Sequence, residues 1–148
     1  MARNNSPSKS VKLKQILKFL SVRARSEKEV RDRLSKYGLT AADIETEVDR
    51  LKKWKLIDDA EFAKLYAESR SRSRPRSSWL INLELKRKGV TTNYQLPATD
   101  LELAKLALEK KKNLKSAQQA VNFLKSRGFN WETIEKAIKN KYNETHVN

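Results

Sequence analysis

The stretch SEKEVRDRLSKYGL at residues 26–39 recurs in outline twice more along the chain, as SSWLINLELKRKGV at 77–90 and as SAQQAVNFLKSRGF at 116–129. In each copy a serine stands twelve residues before a glycine, and a leucine stands four residues before it. The position eight residues before the glycine is apolar in all three copies, occupied by Val30, Ile81 and Ala120. Three ungapped copies predict a repeated structural unit.

Each copy predicts a short helix whose two ends are both encoded. The serine accepts a hydrogen bond from an amide of the first turn, and Glu29 completes a capping box with Ser26. The glycine supplies the left-handed conformation that closes a helix. Apolar residues four positions apart then form one buried stripe. The expected caps are Ser26, Ser77 and Ser116, and the expected closing glycines are Gly38, Gly89 and Gly128.

Further helices are predicted around these copies. Apolar periodicity places a leading helix over 11–22, 59–70 and 100–112, and trailing helices follow the caps Thr40 and Asn130. Residues 90–100 contain Pro97 and show no sustained period, so the middle unit's third helix is expected to be shortened or absent. The fold predicted is all-α, an elongated or curved tandem array of three-helix modules.

This pattern divides the chain into modules flanked by two tails. We expect a disordered basic tail over residues 1–10 and a second tail over 143–148. The modules are expected over 11–56, 57–98 and 99–142.

Composition excludes several classes of protein. The 148 residues contain no cysteine and a single histidine, His146, two positions from the end. A disulfide framework, a thiol nucleophile and a Cys or His metal cluster are therefore ruled out, and we expect no enzyme activity and no cofactor. The polar start and the lack of a long apolar run predict a cytoplasmic protein with no membrane segment.

The charge balance points to a polyanionic partner. Thirty-three Lys and Arg residues against 18 Asp and Glu residues give a net charge of +15. Residues 26–59 are nearly neutral, whereas the segments on either side of them are basic. Such polarity favours binding to nucleic acid or to an acidic protein surface.

Three basic clusters are the candidate binding residues. Four arginines alternate with small residues and a proline across a predicted helix end and loop, and their planar guanidinium groups suit phosphate or carboxylate. Two lysine-rich groups end helices, where they also balance the helix dipole. A solvated linker is the alternative interpretation of the arginine tract, and binding is the favoured one. The candidates are Arg70, Arg72, Arg74 and Arg76; Lys86, Arg87 and Lys88; and Lys110, Lys111 and Lys112.

Two other features have ordinary structural interpretations. Asp58 and Asp59 are the only adjacent carboxylates, and we expect one of them to cap the helix that follows. Trp54, Trp79 and Trp131 lie near module boundaries beside apolar residues, which predicts packing in the core or between modules.

Several motifs in order resemble the RecX family of recombination regulators. The resemblance covers residues 11–142 and is carried by Arg23-Ala-Arg-Ser26, Glu29, Leu34, Gly38, Leu51, Leu56-Ile-Asp-Asp59, Phe62, Ala63 and Tyr66, then Leu83-Glu-Leu-Lys-Arg-Lys-Gly-Val90, then Leu124-Lys-Ser-Arg-Gly-Phe129 with Ile134 and Ala137. It implies a cytoplasmic, non-enzymatic protein of three-helix repeats. Such a protein would bind the RecA recombinase filament, inhibit its ATPase and strand exchange, and in some members bind DNA.

The resemblance also implies a role in modulating recombination, DNA repair and the SOS response, and we expect the protein to be a monomer. A helix-turn-helix DNA-binding protein is the alternative, because three short helices ending in a recognition helix fit that geometry loosely. The trailing helix after Thr40 argues against it, since that helix is rich in acidic residues that would repel phosphate.

Overall fold

A computed structural model describes residues 9–91 and 94–143. All the regular structure in these ranges is helical, which confirms the predicted all-α fold. The helices are α1 (Lys9–Val22), α2 (Glu27–Lys36), α3 (Ala41–Lys53), α4 (Asp59–Ser73), α5 (Ser78–Arg87), α6 (Asp100–Lys110), α7 (Ala117–Ser126) and α8 (Trp131–Asn143).

The predicted repeat is visible in the order of these helices. The helices fall into three successive groups, α1–α3, α4–α5 and α6–α8. The second helix of each group, α2, α5 or α7, is a copy of the repeated stretch. Between α5 and α6 the described residues contain no helix, which confirms the expected loss of the middle third helix. Most of the expected tails at 1–10 and 143–148, with His146, lies outside the described residues, and α1 begins at Lys9.

The predicted caps form as the sequence indicates. Ser26 accepts from the Glu29 amide, and the Glu29 carboxylate accepts from the Ser26 amide, which completes the capping box. Gly38, Gly89 and Gly128 all have φ between 82° and 85°, the left-handed conformation that ends a helix. The other predicted caps are also present, at Ser77, Ser116, Thr40 and Asn130.

The chain divides into two compact units. The first falls within Met1–Ala63 and Arg87–Thr91, and the second within Lys64–Lys86 and Thr92–Asn148. Each has its own apolar cluster, as expected when short helices bury one stripe each. The cluster in the first unit contains Ile16, Val30, Leu34, Val48, Leu51 and Ile57. The cluster in the second contains Leu103, Ala104, Ala107, Leu108, Ala120, Leu124, Phe129, Ile134 and Ala137.

A related pair of hydrogen bonds occurs at the start of α2 in the first unit and at the start of α5 in the second. In the first unit the Glu27 amide donates to the Asp59 carboxylate at 2.9 Å, and the Ser26 hydroxyl donates to the Lys88 carbonyl at 2.7 Å. In the second unit the Ser78 amide donates to Asp100 at 3.0 Å, and the Ser77 amide donates to the Arg127 carbonyl at 3.0 Å. The starts of α2 and α5 are thus held by residues much later in the chain.

The prediction that the three tryptophans pack in the interior is wrong. Trp54, Trp79 and Trp131 are 53%, 64% and 62% exposed. Each lies at a helix end, where the neighbouring stripe positions are filled by other residues, such as Ile81 after Trp79. Proximity to apolar residues in sequence therefore did not place these rings on the buried face.

Candidate polyanion-binding cleft

The four arginines of the 70–76 tract do not share one environment. Arg70 and Arg72 lie in the last turn of α4, whereas Arg74 and Arg76 lie in the link before α5. The Arg70 guanidinium stands over the Tyr66 ring, 5.1 Å from its centre, and hydrogen bonding to Tyr66 raises the pKa of Arg70. The first two arginines of the tract are therefore helical, and the last two lie in the non-helical link between α4 and α5.

Arg76 forms an ion pair with Glu84 inside the second unit. Its side chain is 12% exposed and its Nη1 donates to the Glu84 carboxylate on α5. The Tyr66 hydroxyl also donates to Glu84, at 2.7 Å, and burial followed by this bond raises the pKa of Tyr66. Because Glu84 neutralises Arg76, this arginine is the member of the tract least available to a partner.

Arg74 lines a small cleft in the second unit. The cleft has a volume of about 120 Å³ and is bordered by the end of α4, the end of α6 and the end of α7. Four of its lining residues are cationic, and among the described residues that line it none is acidic. The lining residues are Ser73, Arg74, Pro75, Ala107, Lys110, Lys111, Phe123 and Arg127.

Phe123 brings two of these cations together. The Lys111 ammonium lies 5.7 Å from the centre of the Phe123 ring, and the Arg127 guanidinium carbon lies 5.2 Å from it. Both distances are within the range in which a cation is attracted to an aromatic face. The ring therefore holds two positive groups from different segments at the same opening.

Arg127 was not among the residues predicted from the sequence. It is the C-cap of α7, and burial, followed by the positive charges of Arg76 and Arg74, lowers its pKa. The sequence did contain a signal for it. Arg127 immediately precedes Gly128 in the third repeat, and Lys88 immediately precedes Gly89 in the second, so both copies have a basic residue at this position. Periodicity alone could not show that this position meets Arg74.

The remaining predicted residues lie elsewhere. Lys86 and Arg87 end α5 with exposed side chains, and Lys112 is exposed in the turn after α6. Lys88 donates to Glu29 at 3.1 Å, so it takes part in the structure of the first unit. The structure brings Arg74, Lys110 and Lys111 together in the cleft and leaves the other predicted residues outside it.

The two adjacent carboxylates cap two different helices. Asp58 accepts from the amides of Ala60 and Glu61 and so caps α4, as expected for one of the pair. Asp59 instead accepts from Glu27 at the start of α2. The described part of the chain has no group of three or more His, Cys, Asp or Glu side chains arranged to hold a metal ion.

None of the described helices combines the length and the apolar character that a membrane crossing requires.

The residues that line the cleft favour anion binding, because four cations surround a small opening.

Comparison with known proteins places this geometry in a family. A family model described as RecX, first three-helix domain, matches residues 13–51, and one described as RecX, second three-helix domain, matches residues 58–93. The crystal structure of RecX from Lactobacillus salivarius superposes with a TM-score of 0.70 over 86% of this chain and 92% of that one. Its sequence identity of 22% makes this a similarity of fold.

Relatives named Regulatory protein RecX match over most of the chain. The relative from Chlorobaculum tepidum is 33% identical over 88% of this chain and 88% of its own length. The relative from Bacillus pumilus is 30% identical over 86% of this chain and 54% of its own length, so the chain spans about half of that protein. Two matched domains and relatives at this identity show that the chain belongs to the RecX family of regulatory proteins.

Proposed function

We propose that this RecX-family protein binds the RecA recombinase filament and inhibits its ATPase and strand exchange without being an enzyme itself. It would thereby modulate recombination, DNA repair and the SOS response, acting as a cytoplasmic monomer with no cofactor. The observation that carries the proposal is a cleft on a RecX repeat framework whose described lining residues include four cations and no acid. A nucleoprotein filament is a polyanionic partner to which such a surface is complementary.

The mechanism proposed is binding without chemistry. Contacts spread over several repeats would restrain neighbouring RecA subunits, and many modest charged contacts would supply the affinity. Arg72 and Arg74 are the exposed members of the arginine tract, and they are proposed to contribute to this surface. Arg76 is proposed to support it indirectly, because its pairing with Glu84 fixes the link that carries Arg74.

The test uses purified RecA, single-stranded DNA and ATP. We expect the protein to lower both ATP hydrolysis and strand exchange, and we expect Arg72→Gln with Arg74→Gln to require several-fold more protein for the same inhibition. The control is Lys136→Gln with Lys139→Gln on α8, which removes the same charge from side chains paired with Glu132 and Glu135. This control should inhibit like the parent.

A helix-turn-helix DNA-binding protein predicts a different result. Such a protein would bind naked DNA with sequence preference and leave the ATPase of assembled RecA unchanged. Normal ATP hydrolysis and normal strand exchange at saturating protein would overturn the proposed function.

A further inference from the structure

We propose that the cleft formed by Arg74, Lys110, Lys111 and Arg127 holds one phosphate group of a nucleic-acid backbone, so that this face of the second unit contacts DNA. The inference extends the proposed function. It rests on that function only in assigning the bound DNA to the RecA filament. Phosphate binding by the cleft can be measured without RecA.

The arrangement of donors favours a phosphate over a carboxylate. The four cations come from three segments: Arg74 from the link after α4, Lys110 and Lys111 from the end of α6, and Arg127 from the end of α7. The two charged oxygens of a phosphodiester, on a tetrahedral phosphorus, accept hydrogen bonds over a wide range of directions, whereas the lone pairs of a carboxylate lie in the plane of the group. Donors that converge from three segments can therefore all reach a phosphate, while a carboxylate suits a single planar fork.

The size of the cleft limits what enters it. Its volume of about 120 Å³ is well below the roughly 300 Å³ at which pockets for whole small molecules begin. A nucleoside does not fit inside, whereas one charged group of a longer chain does. The rest of the polymer would run outside the cleft, where Lys112 is exposed in the turn after α6.

The aromatic residue in the cleft does not offer a stacking surface. Phe123 is only partly exposed, and Lys111 and Arg127 already lie within 6 Å of its ring. Proteins that prefer single strands usually stack bases on open aromatic rings. With this ring covered, the cleft would read the backbone charge without regard to base sequence, and it would accept single or double strands.

The electrostatics of the cleft favour an anionic ligand. Burial is the main cause that lowers the pKa of Arg127, and the positive charges of Arg76 and Arg74 add to it by disfavouring the charged guanidinium. The charge of Glu84 partly offsets this effect, but Glu84 is already bonded by Arg76 and Tyr66. A bound phosphate would therefore relieve repulsion that the cleft's own residues do not balance.

The experiment measures binding of a fluorescent oligonucleotide to the protein in the absence of RecA, over a series of salt concentrations. We expect Lys111→Gln with Arg127→Gln to weaken binding about tenfold, since two charge-assisted contacts are lost. Because one phosphate leaves the interface, the slope of log affinity against log salt should fall by about 0.7 for a single strand. An oligonucleotide with uncharged methylphosphonate linkages should not distinguish parent from variant.

Two further variants serve as controls for this experiment. Arg74→Gln with Lys110→Gln removes the other two cations and should give the same loss, so the result does not depend on one variant folding correctly. The control pair Lys136→Gln and Lys139→Gln carries the same charge change outside the cleft and should leave affinity and slope unchanged. Circular dichroism and thermal midpoints establish that each variant is folded.

Equal DNA affinity for both cleft variants and the control would overturn the proposal. So would competition by poly-glutamate as strong as that by an oligonucleotide of equal charge, since the cleft would then suit acidic protein side chains. A parent protein that binds DNA through the cleft but does not inhibit RecA would support this inference and overturn the proposed function. The two failures are therefore distinguishable.

Discussion

The Asp59 carboxylate accepts a hydrogen bond from the Glu27 amide at 2.9 Å, so the first residue of α4 caps the start of α2. Asp58, immediately before it, caps α4 itself. Two neighbouring carboxylates thus stabilise two different helices, and both lie at helix N-termini where negative charge is favourable.

Replacing Asp59 with alanine should lower the free energy of unfolding by about 1 kcal/mol, the usual effect of losing a helix cap. Asp100→Ala should have a similar effect, because Asp100 accepts from Ser78 in the same way. Urea denaturation followed by circular dichroism measures both. Asp49→Ala, at an exposed position of α3, serves as the control and should change stability by less than about 0.5 kcal/mol.

The closing glycines should differ in their tolerance of alanine. A Cβ on Gly38 would meet nothing within 4 Å, so Gly38→Ala carries only the strain of its φ of 85°, about 1 kcal/mol. A Cβ on Gly128 would lie 2.7 Å from the Ser77 Oγ and 2.9 Å from the Leu80 Cβ. Gly128→Ala should therefore lower the thermal midpoint clearly more than Gly38→Ala, and equal midpoints would contradict this steric argument.

Glu29 should make the protein's stability depend on pH in acid. Burial alone would raise the pKa of Glu29, but hydrogen bonds from Arg23, the Ser26 amide and Lys88 outweigh burial and lower it to about 2. Since the ordinary value is 4.5, the stabilisation is present above about pH 4.5 and is lost as the pH falls toward 2.

Glu29→Gln should accordingly reduce stability at neutral pH and flatten its dependence on pH between these limits. Thermal midpoints measured from pH 2 to 7 test this. Glu109→Gln removes an exposed carboxylate from α6 and should keep the steep dependence of the parent. A parallel shift of the Glu29→Gln curve with no change in slope would show that the carboxylate is unimportant in this range.

Arg76 and Arg72 should respond differently to the same substitution. Arg76→Ala leaves the Glu84 carboxylate without its ion-pair partner in a site that is mostly buried, which should cost about 1–3 kcal/mol of stability. Arg72→Ala removes an exposed side chain and should change stability by less than about 0.5 kcal/mol. Urea denaturation of Arg76→Ala and Arg72→Ala tests this difference. Adding Glu84→Ala and the Arg76→Ala, Glu84→Ala double variant completes a cycle that measures the coupling between the pair.

The features that the sequence predicted correctly are those that depend on neighbouring residues. Ser26 and Glu29 form a capping box across three positions, and Gly38 closes the same helix, so these residues specify the helix locally. The lack of a helix between α5 and α6, in the residues that the structure describes there, follows equally from the Pro97 segment. The family resemblance used the order of such local signals and is confirmed by the matched domains.

The features that the sequence could not predict depend on residues far apart. Asp59 bonds to an amide 32 positions earlier, and Arg127 meets Arg74 only because α7 ends beside the link after α4. Arg76 differs from Arg74 because Glu84 is placed within its reach. Charge patterning identified a basic tract, but the packing of the second unit decides which of its members face solvent.

The exposure of all three tryptophans determines what intrinsic fluorescence can report about this protein. Because Trp54, Trp79 and Trp131 already stand mostly in water, their emission in the native protein should resemble that of the unfolded chain. Intrinsic fluorescence should then be a weak probe of folding and a sensitive probe of anything that covers these rings. Replacing each tryptophan with phenylalanine in turn would make the remaining two report which parts of the surface a bound filament shields.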